Sequence, residues 1–270
     1  MFRTRLISGI VLVVLALVFI ISGGYVLWAV SLALSLIGLM ELYRVFGFHK
    51  AVIGLSGYGF IILYYLLLLL SDHRIFEVNW LMYLIVMMMV YLFIMVCKYP
   101  KYHSNEMMQA IFGIFYVGVM FSFLYQTRGL PRGMYTVWLI FISSWGCDTF
   151  AYCVGKLIGK HKMSPVLSPK KSVEGAVGGV LGTMLLTYMY AAYFAVQMGI
   201  TQIEVWILTF ISAAGALLSM VGDLTASAIK RNYDVKDYGK LIPGHGGVLD
   251  RFDSVIFTAP VIYFLAYYFV

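Results

Sequence analysis

Twelve acidic residues are spread over a 270-residue chain, and four of them fall where a carboxylate needs a reason. Asp148 stands eight residues before Lys156 within an apolar run, so on a helix it lies roughly 12 Å deeper than that lysine. An unpaired carboxylate at such depth costs about 2.5–3.5 kcal/mol or more. Its helical face continues through Tyr152, Gly155 and Gly159, a polar stripe of small residues suited to an internal cavity. A hydrogen bond to a neighbouring helix is the structural alternative. Asp223, Ser227 and Lys230 follow one another at i, i+4 and i+7, placing a carboxylate, a hydroxyl and a cation on one face. Asp250 and Asp253 share a face if residues 248–270 are helical, although such a pair can also be a dipole-stabilised helix start. Glu41, Asp72, Glu77, Glu106, Glu174 and Glu204 fall near span ends or in loops, where solvation is cheap. Asp234 and Asp237 belong to the last polar segment.

The stretch from Ser227 to Asp253 concentrates the remaining chemistry. Lys230, Arg231 and Arg251 can neutralise phosphate oxygens, as can Lys170 and Lys171 in an earlier polar segment. Membrane topology and headgroup contact are the competing explanation for these cations. Gly246 and Gly247 follow His245 just before an expected helix, and consecutive glycines let backbone N–H groups approach an anion. His245 is either a phosphate contact or a turn residue. Carboxylates beside phosphate-binding cations suit Mg2+, which takes one or two carboxylates and completes its shell with phosphate and water. The outline is a phosphate-and-metal site.

The elements that must carry these groups are membrane helices. The chain is 62% hydrophobic and 11% charged, with mean hydropathy +0.91. A soluble domain holds roughly 45–50% apolar and about 25% charged residues, so lipid must solvate much of this surface. Spans of sufficient length are expected at 6–21, 25–42, 52–70, 80–97, 107–126, 134–155, 175–197, 203–222 and 253–270. The fold class is therefore all-α, a polytopic transmembrane bundle of about nine spans. Arg3 and Arg5 precede the first apolar run, but no small-residue cleavage site follows, and an uncleaved first helix is expected. With the N-terminus in the cytoplasm, all but Arg74, Arg128 and Arg132 of the 19 Lys and Arg residues fall on the cytoplasmic side.

That orientation puts the two polar segments, 156–174 and 224–252, on one cytoplasmic face. The chain divides into five N-terminal spans over 1–130 and a catalytic region over 131–270 with about four. The formal charge of +7 reflects this topology and anionic headgroups; nucleic-acid binding is not expected, for no soluble basic domain exists to carry it. Cys97, Cys147 and Cys153 form no metal-ligand pair or disulfide framework. Ser212, Gly215, Ser219, Gly222 and Ala226 form a stripe suited to close helix packing. Such stripes are compatible with a homodimer.

The run from Ser227 through Lys230-Arg231, Lys236-Asp237, Pro243, His245-Gly246-Gly247 and Asp250-Arg251-Phe252-Asp253 resembles the phosphatidate cytidylyltransferase (CDP-diacylglycerol synthase) family without a gap. A second segment agrees: Asp148 to Tyr152, Gly155-Lys156, Gly159-Lys160, then Ser168 to Ser172 and Glu174-Gly175. The likeness is close over the C-terminal half; the first 130 residues match as hydrophobic spans, with Glu41 in a family-like patch. It implies condensation of CTP with phosphatidic acid to CDP-diacylglycerol and pyrophosphate, at the cytoplasmic face of a bacterial inner membrane. It also implies Mg2+ on Asp223 and Asp250, a second cation such as K+ nearby, and Asp148 and Asp253 as adjacent ligands or supports. Lys230, Arg251 and His245 would join the two metal ligands as catalytic groups. Lys170, Lys171, Ser227, Arg231, Gly246 and Gly247 would hold substrate phosphate.

Other patterns are weaker. Gly155 to Lys160 suggests a phosphate loop but has three residues between its glycines, and His161 stands where Ser or Thr is required. A CTP-dependent lipid kinase would share much of the site and move the γ-phosphoryl instead. A cation-coupled transporter would also place Asp148 and Asp223 within spans, without needing the polar turn. A CDP-alcohol phosphotransferase is disfavoured, because its longer paired-carboxylate motif is missing.

Overall fold

The computed structural model describes residues 2–244 and 246–270, with side chains from residue 9 onward within those limits. His245 and the side chains of Arg3 and Arg5 lie outside the described residues. Helix α1 spans Phe2–Ser22. It is followed by α2 (Gly24–Phe46), α3 (Val52–Asp72), α4 (Trp80–Cys97), α5 (Ser104–Gly129) and α6 (Gly133–Ile158). Then come α7 (Val173–Met198), α8 (Gln202–Asn232) and α9 (Leu249–Phe269). The eight from α2 to α9 are long and apolar enough to cross a membrane, while the apolar part of α1, Gly9–Ser22, is shorter. Each expected span has its helix.

Local chemistry sets the ends of these helices. Ser172 caps α7 by accepting the Gly175 N–H at 3.1 Å, and Gly199 ends it in the left-handed region at φ +62°. Thr201 and Glu204 form a reciprocal cap on α8. Helix α8 runs ten residues past the expected span end at 222, so Asp223, Ser227, Lys230 and Arg231 are all helical. Continuous backbone hydrogen bonding lets that helix carry its polar face out of the apolar layer.

The segment after α6 adds two short antiparallel strands to an otherwise helical chain, β1 (Lys162–Ser164) and β2 (Ser168–Ser172). Two wide π turns interrupt the spans, Ile114–Val119 in α5 and Ile142–Gly146 in α6. The second ends two residues before Asp148, and such turns are frequent at functional sites.

Packing explains the small-residue stripe on α8. A Cβ at Gly222 would meet the Asp253 backbone oxygen at 2.8 Å, and one at Gly215 would meet Ile262 and Ser143 at 3.0 Å. The stripe therefore brings α8 against α9 and α6, the three helices bearing the four carboxylates. Buried residues from either side of position 130 share one apolar core, including Leu39 of α2, Val117 of α5 and Leu249 of α9. The N-terminal spans are thus packed onto α9, whose first turn carries Asp250.

Candidate active site

Asp148, Asp223, Asp250 and Asp253 meet at one cavity of about 550 Å³, whose wall also includes Arg251. Asp148 comes from α6, Asp223 from α8, and the other two from the first turns of α9. Gly9, Leu12 and Val13 of α1 give the same cavity an apolar side. Asp148 and Asp223 also border a second cavity of about 370 Å³, lined by Tyr152, Lys170, Lys171 and Ser172. The two polar segments are therefore brought to one place, with Asp148 and Asp223 standing between two spaces.

The carboxylates differ in their partners. Asp223 is ion-paired with Lys171 of β2. Asp250 accepts from Lys230 Nζ at 2.8 Å through Oδ1, and from the Tyr238 and Gly247 N–H groups at 2.8 and 3.0 Å through Oδ2. Asp253 accepts the Ser254 N–H at 2.8 Å. A carboxylate offers about four lone-pair positions, so among the described residues Asp250 keeps one open, on Oδ1. Tyr238 closes over the same group, its ring 5.4 Å from Lys230 Nζ and its hydroxyl donating to the Ala226 oxygen at 3.0 Å. Burial pushes the Tyr238 phenol far above its usual range, so it stays a neutral donor.

The hairpin is fastened from below by Glu174. Its carboxylate accepts the Lys160 N–H at 3.1 Å, the His161 N–H at 3.2 Å and the His161 ring at 2.5 Å. Gly155, Gly159 and Gly175 give the close approach this needs. A Cβ at Gly175 would stand 2.7 Å from the Ala151 oxygen. The expected face of Asp148, Tyr152 and Gly155 does line one cavity, although the helix ends at Ile158 and Gly159 lies beyond it.

Other expected contacts are placed differently. Gly247 was anticipated at a phosphate, but its N–H is taken by Asp250, and the next two N–H groups, of Val248 and Leu249, are taken by Glu41 at 3.1 and 2.9 Å. The turn thus binds carboxylates of the protein itself. Gly246 and Arg251 line a third space of about 540 Å³ with Lys236, Asp237 and Lys240. Ser227 and Arg231 sit on α8 and border none of these three spaces. Glu41 is a contributor that the sequence placed at a span end and in a family-like patch, with no role assigned to it. It is 2% exposed, and no spacing rule links it to residues more than two hundred positions away.

Among the described residues no three His, Cys, Asp or Glu side chains converge to hold a metal ion unaided. Mg2+ does not need such a set: one or two carboxylates suffice when phosphate and water supply the rest. The hard oxygen donors of Asp223 and Asp250 on one cavity wall fit that requirement.

Comparison with known proteins identifies the family. Residues 3–269 match the family model described as "Cytidylyltransferase family". A protein of Staphylococcus aureus (strain COL) named "Phosphatidate cytidylyltransferase" is 33% identical over 264 residues, covering 96% of this chain and 97% of that protein. Proteins of the same name from Staphylococcus epidermidis (strain ATCC 12228 / FDA PCI 1200) and Staphylococcus saprophyticus subsp. saprophyticus are 32% and 33% identical, each over 96% of this chain and 97% of theirs. With a match that runs almost from end to end, the chain belongs to the cytidylyltransferase family.

Proposed function

We propose that this protein is an integral membrane phosphatidate cytidylyltransferase, joining CTP to phosphatidic acid with release of pyrophosphate. The observation that carries the reading is the cavity where four carboxylates and Arg251 face the apolar side of α1. A lipid headgroup and a nucleotide triphosphate require that combination: cations for phosphate oxygens, carboxylates for a divalent ion, and an apolar flank for acyl chains.

In this reading, an oxygen of the lipid phosphate attacks the α-phosphorus of CTP. The new P–O bond forms as the bond from the α-phosphorus to the bridging oxygen breaks, and pyrophosphate departs. The nucleophile is already anionic, so the site supplies alignment and charge neutralisation more than a strong base. The lipid phosphate enters from the α1 side, and the triphosphate lies toward Lys170 and Lys171. Asp148 and Asp223, which border both spaces, mark where they meet. Arg251 faces the developing charge, and Lys230 holds Asp250 in place. Mg2+ on Asp223 and Asp250, with Asp148 and Asp253 beside it, would neutralise the phosphates and stabilise the leaving group when bound. The positive-inside distribution supports a cytoplasmic orientation of this face, in this reading at the bacterial inner membrane, where CTP is available.

The test uses the detergent-purified chain with phosphatidate, Mg2+ and CTP labelled at either the α or the γ phosphorus. Label from the α position should enter the lipid as pyrophosphate is released. Transfer of γ label instead would identify a lipid kinase, and flux into vesicles without pyrophosphate a transporter.

A further inference from the structure

Helix α9 begins without a cap of its own. Val248, the residue before it, is already helical at φ −63° and ψ −46°, and its side chain cannot accept a hydrogen bond. The carboxylate that does so comes from α2. Glu41 Oε1 accepts the Val248 N–H at 3.1 Å and Oε2 accepts the Leu249 N–H at 2.9 Å. For stability alone this is an expensive solution. A Ser, Thr or Asn at the cap position would serve locally, without burying a carboxylate.

The neighbouring N–H explains what the arrangement achieves. Gly247 donates to Asp250 Oδ2 at 3.0 Å, so three successive N–H groups hold two carboxylates, one of which borders the reaction cavity. Gly239 and Gly247 lie flat against Glu41, and a Cβ on either would overlap its carboxylate. The same polar segment is docked on the N-terminal spans at its other end. Gln109 of α5 donates to the Tyr233 hydroxyl at 2.8 Å, and Phe46 of α2 packs on the Tyr233 ring at 5.1 Å.

We propose that Glu41 is a positioning residue for the reaction: from α2 it fixes the start of α9, and with it the orientation of Asp250. What Asp250 does there rests on the function proposed above. The variant to make is Glu41→Gln, which keeps the side-chain volume and one acceptor but turns the other toward an N–H as a donor. Turnover and amide exchange are both measured, on the full chain in detergent. The kcat for pyrophosphate release should fall about ten-fold or more, with KM for CTP within about two-fold of wild type. Exchange should accelerate in 246–252 and stay unchanged in the hairpin 162–172, which a general loss of fold would not spare. Glu41→Asp, which keeps both acceptors, should recover part of the kcat. Wild-type kcat or unchanged exchange at 246–252 in Glu41→Gln overturns the proposal, as does a loss in which KM rises and kcat holds. Wild-type protein that releases no pyrophosphate would retire the reaction reading instead, and the exchange comparison, made without substrate, would still decide whether Glu41 holds the start of α9.

Discussion

Lys230 Nζ lies 2.8 Å from Asp250 Oδ1, tying the last turns of α8 to the first turn of α9. The side chains are 17% and 2% exposed, so the pair is shielded from water. Removing one partner of such a pair strands the other charge, at a cost of about 3–5 kcal/mol. Asp250→Ala should therefore lower the thermal midpoint as well as abolish turnover. Adding Lys230→Met to it should restore part of the stability and none of the activity. Thermal unfolding and pyrophosphate release on the two single variants and the double variant give the comparison. Strictly additive losses of stability would show that the two side chains do not act as a pair.

Asp223 presents a different balance. Its side chain and that of its partner Lys171 are 30% and 25% exposed, although the Lys171 ammonium itself is buried. Partial access to solvent makes such a pair worth less than a fully buried one, but removing Asp223 still leaves a buried cation. Asp223→Ala should then lower the thermal midpoint by less than Asp250→Ala does, while turnover disappears. A variant that retains near-normal turnover would remove Asp223 from the reaction.

The contrast between these two aspartates also shows what the sequence could convey. Hydropathy and the positions of Lys and Arg were enough for the spans, because the apolar layer imposes length and polarity on each helix separately. The stripe from Ser212 to Ala226 and the depth of Asp148 were legible for the same reason: both are local, periodic features. Partnership is not local. Nothing in the spacing pairs Lys171 with Asp223, and the glycine turn read as an anion site because consecutive glycines before a helix offer their N–H groups to a partner from elsewhere. Glu41 supplies that partner from α2, through packing of the N-terminal spans onto α9. The hairpin was likewise hidden, since three- and five-residue strands carry almost no periodic signal.

Gly246 ties backbone conformation directly to Asp250. Its φ is +88°, and a Cβ there would stand 2.9 Å from Asp250 Oδ2. Gly246→Ala should suffer both the left-handed strain, about 1–3 kcal/mol, and a displaced carboxylate. Gly199→Ala is the control: its φ is +62°, but nothing lies within 4 Å of the added carbon. Both variants should melt lower, and only Gly246→Ala should lose kcat. Equal activity in the two would mean that the contact with Asp250 has no bearing on turnover.

The carboxylate arrangement finally predicts the form of the metal dependence. Asp148 borders both cavities with Asp223, and Asp223 is the carboxylate paired with Lys171. Chelation should abolish pyrophosphate release, and Mg2+ should restore it. Ca2+ should restore little, because it seeks six to eight oxygens at longer distances than a compact phosphate site provides. Asp148→Asn removes one nearby negative charge and leaves Lys171 and Asp223 themselves unaltered. It should therefore raise the Mg2+ concentration for half-maximal rate by about ten-fold, as expected for about 1.4 kcal/mol of lost attraction. Titrating Mg2+ at saturating CTP separates this effect from a lower limiting rate. An unchanged half-maximal concentration would place Asp148 outside the reach of the cation and assign its cavity position to the substrate phosphates alone.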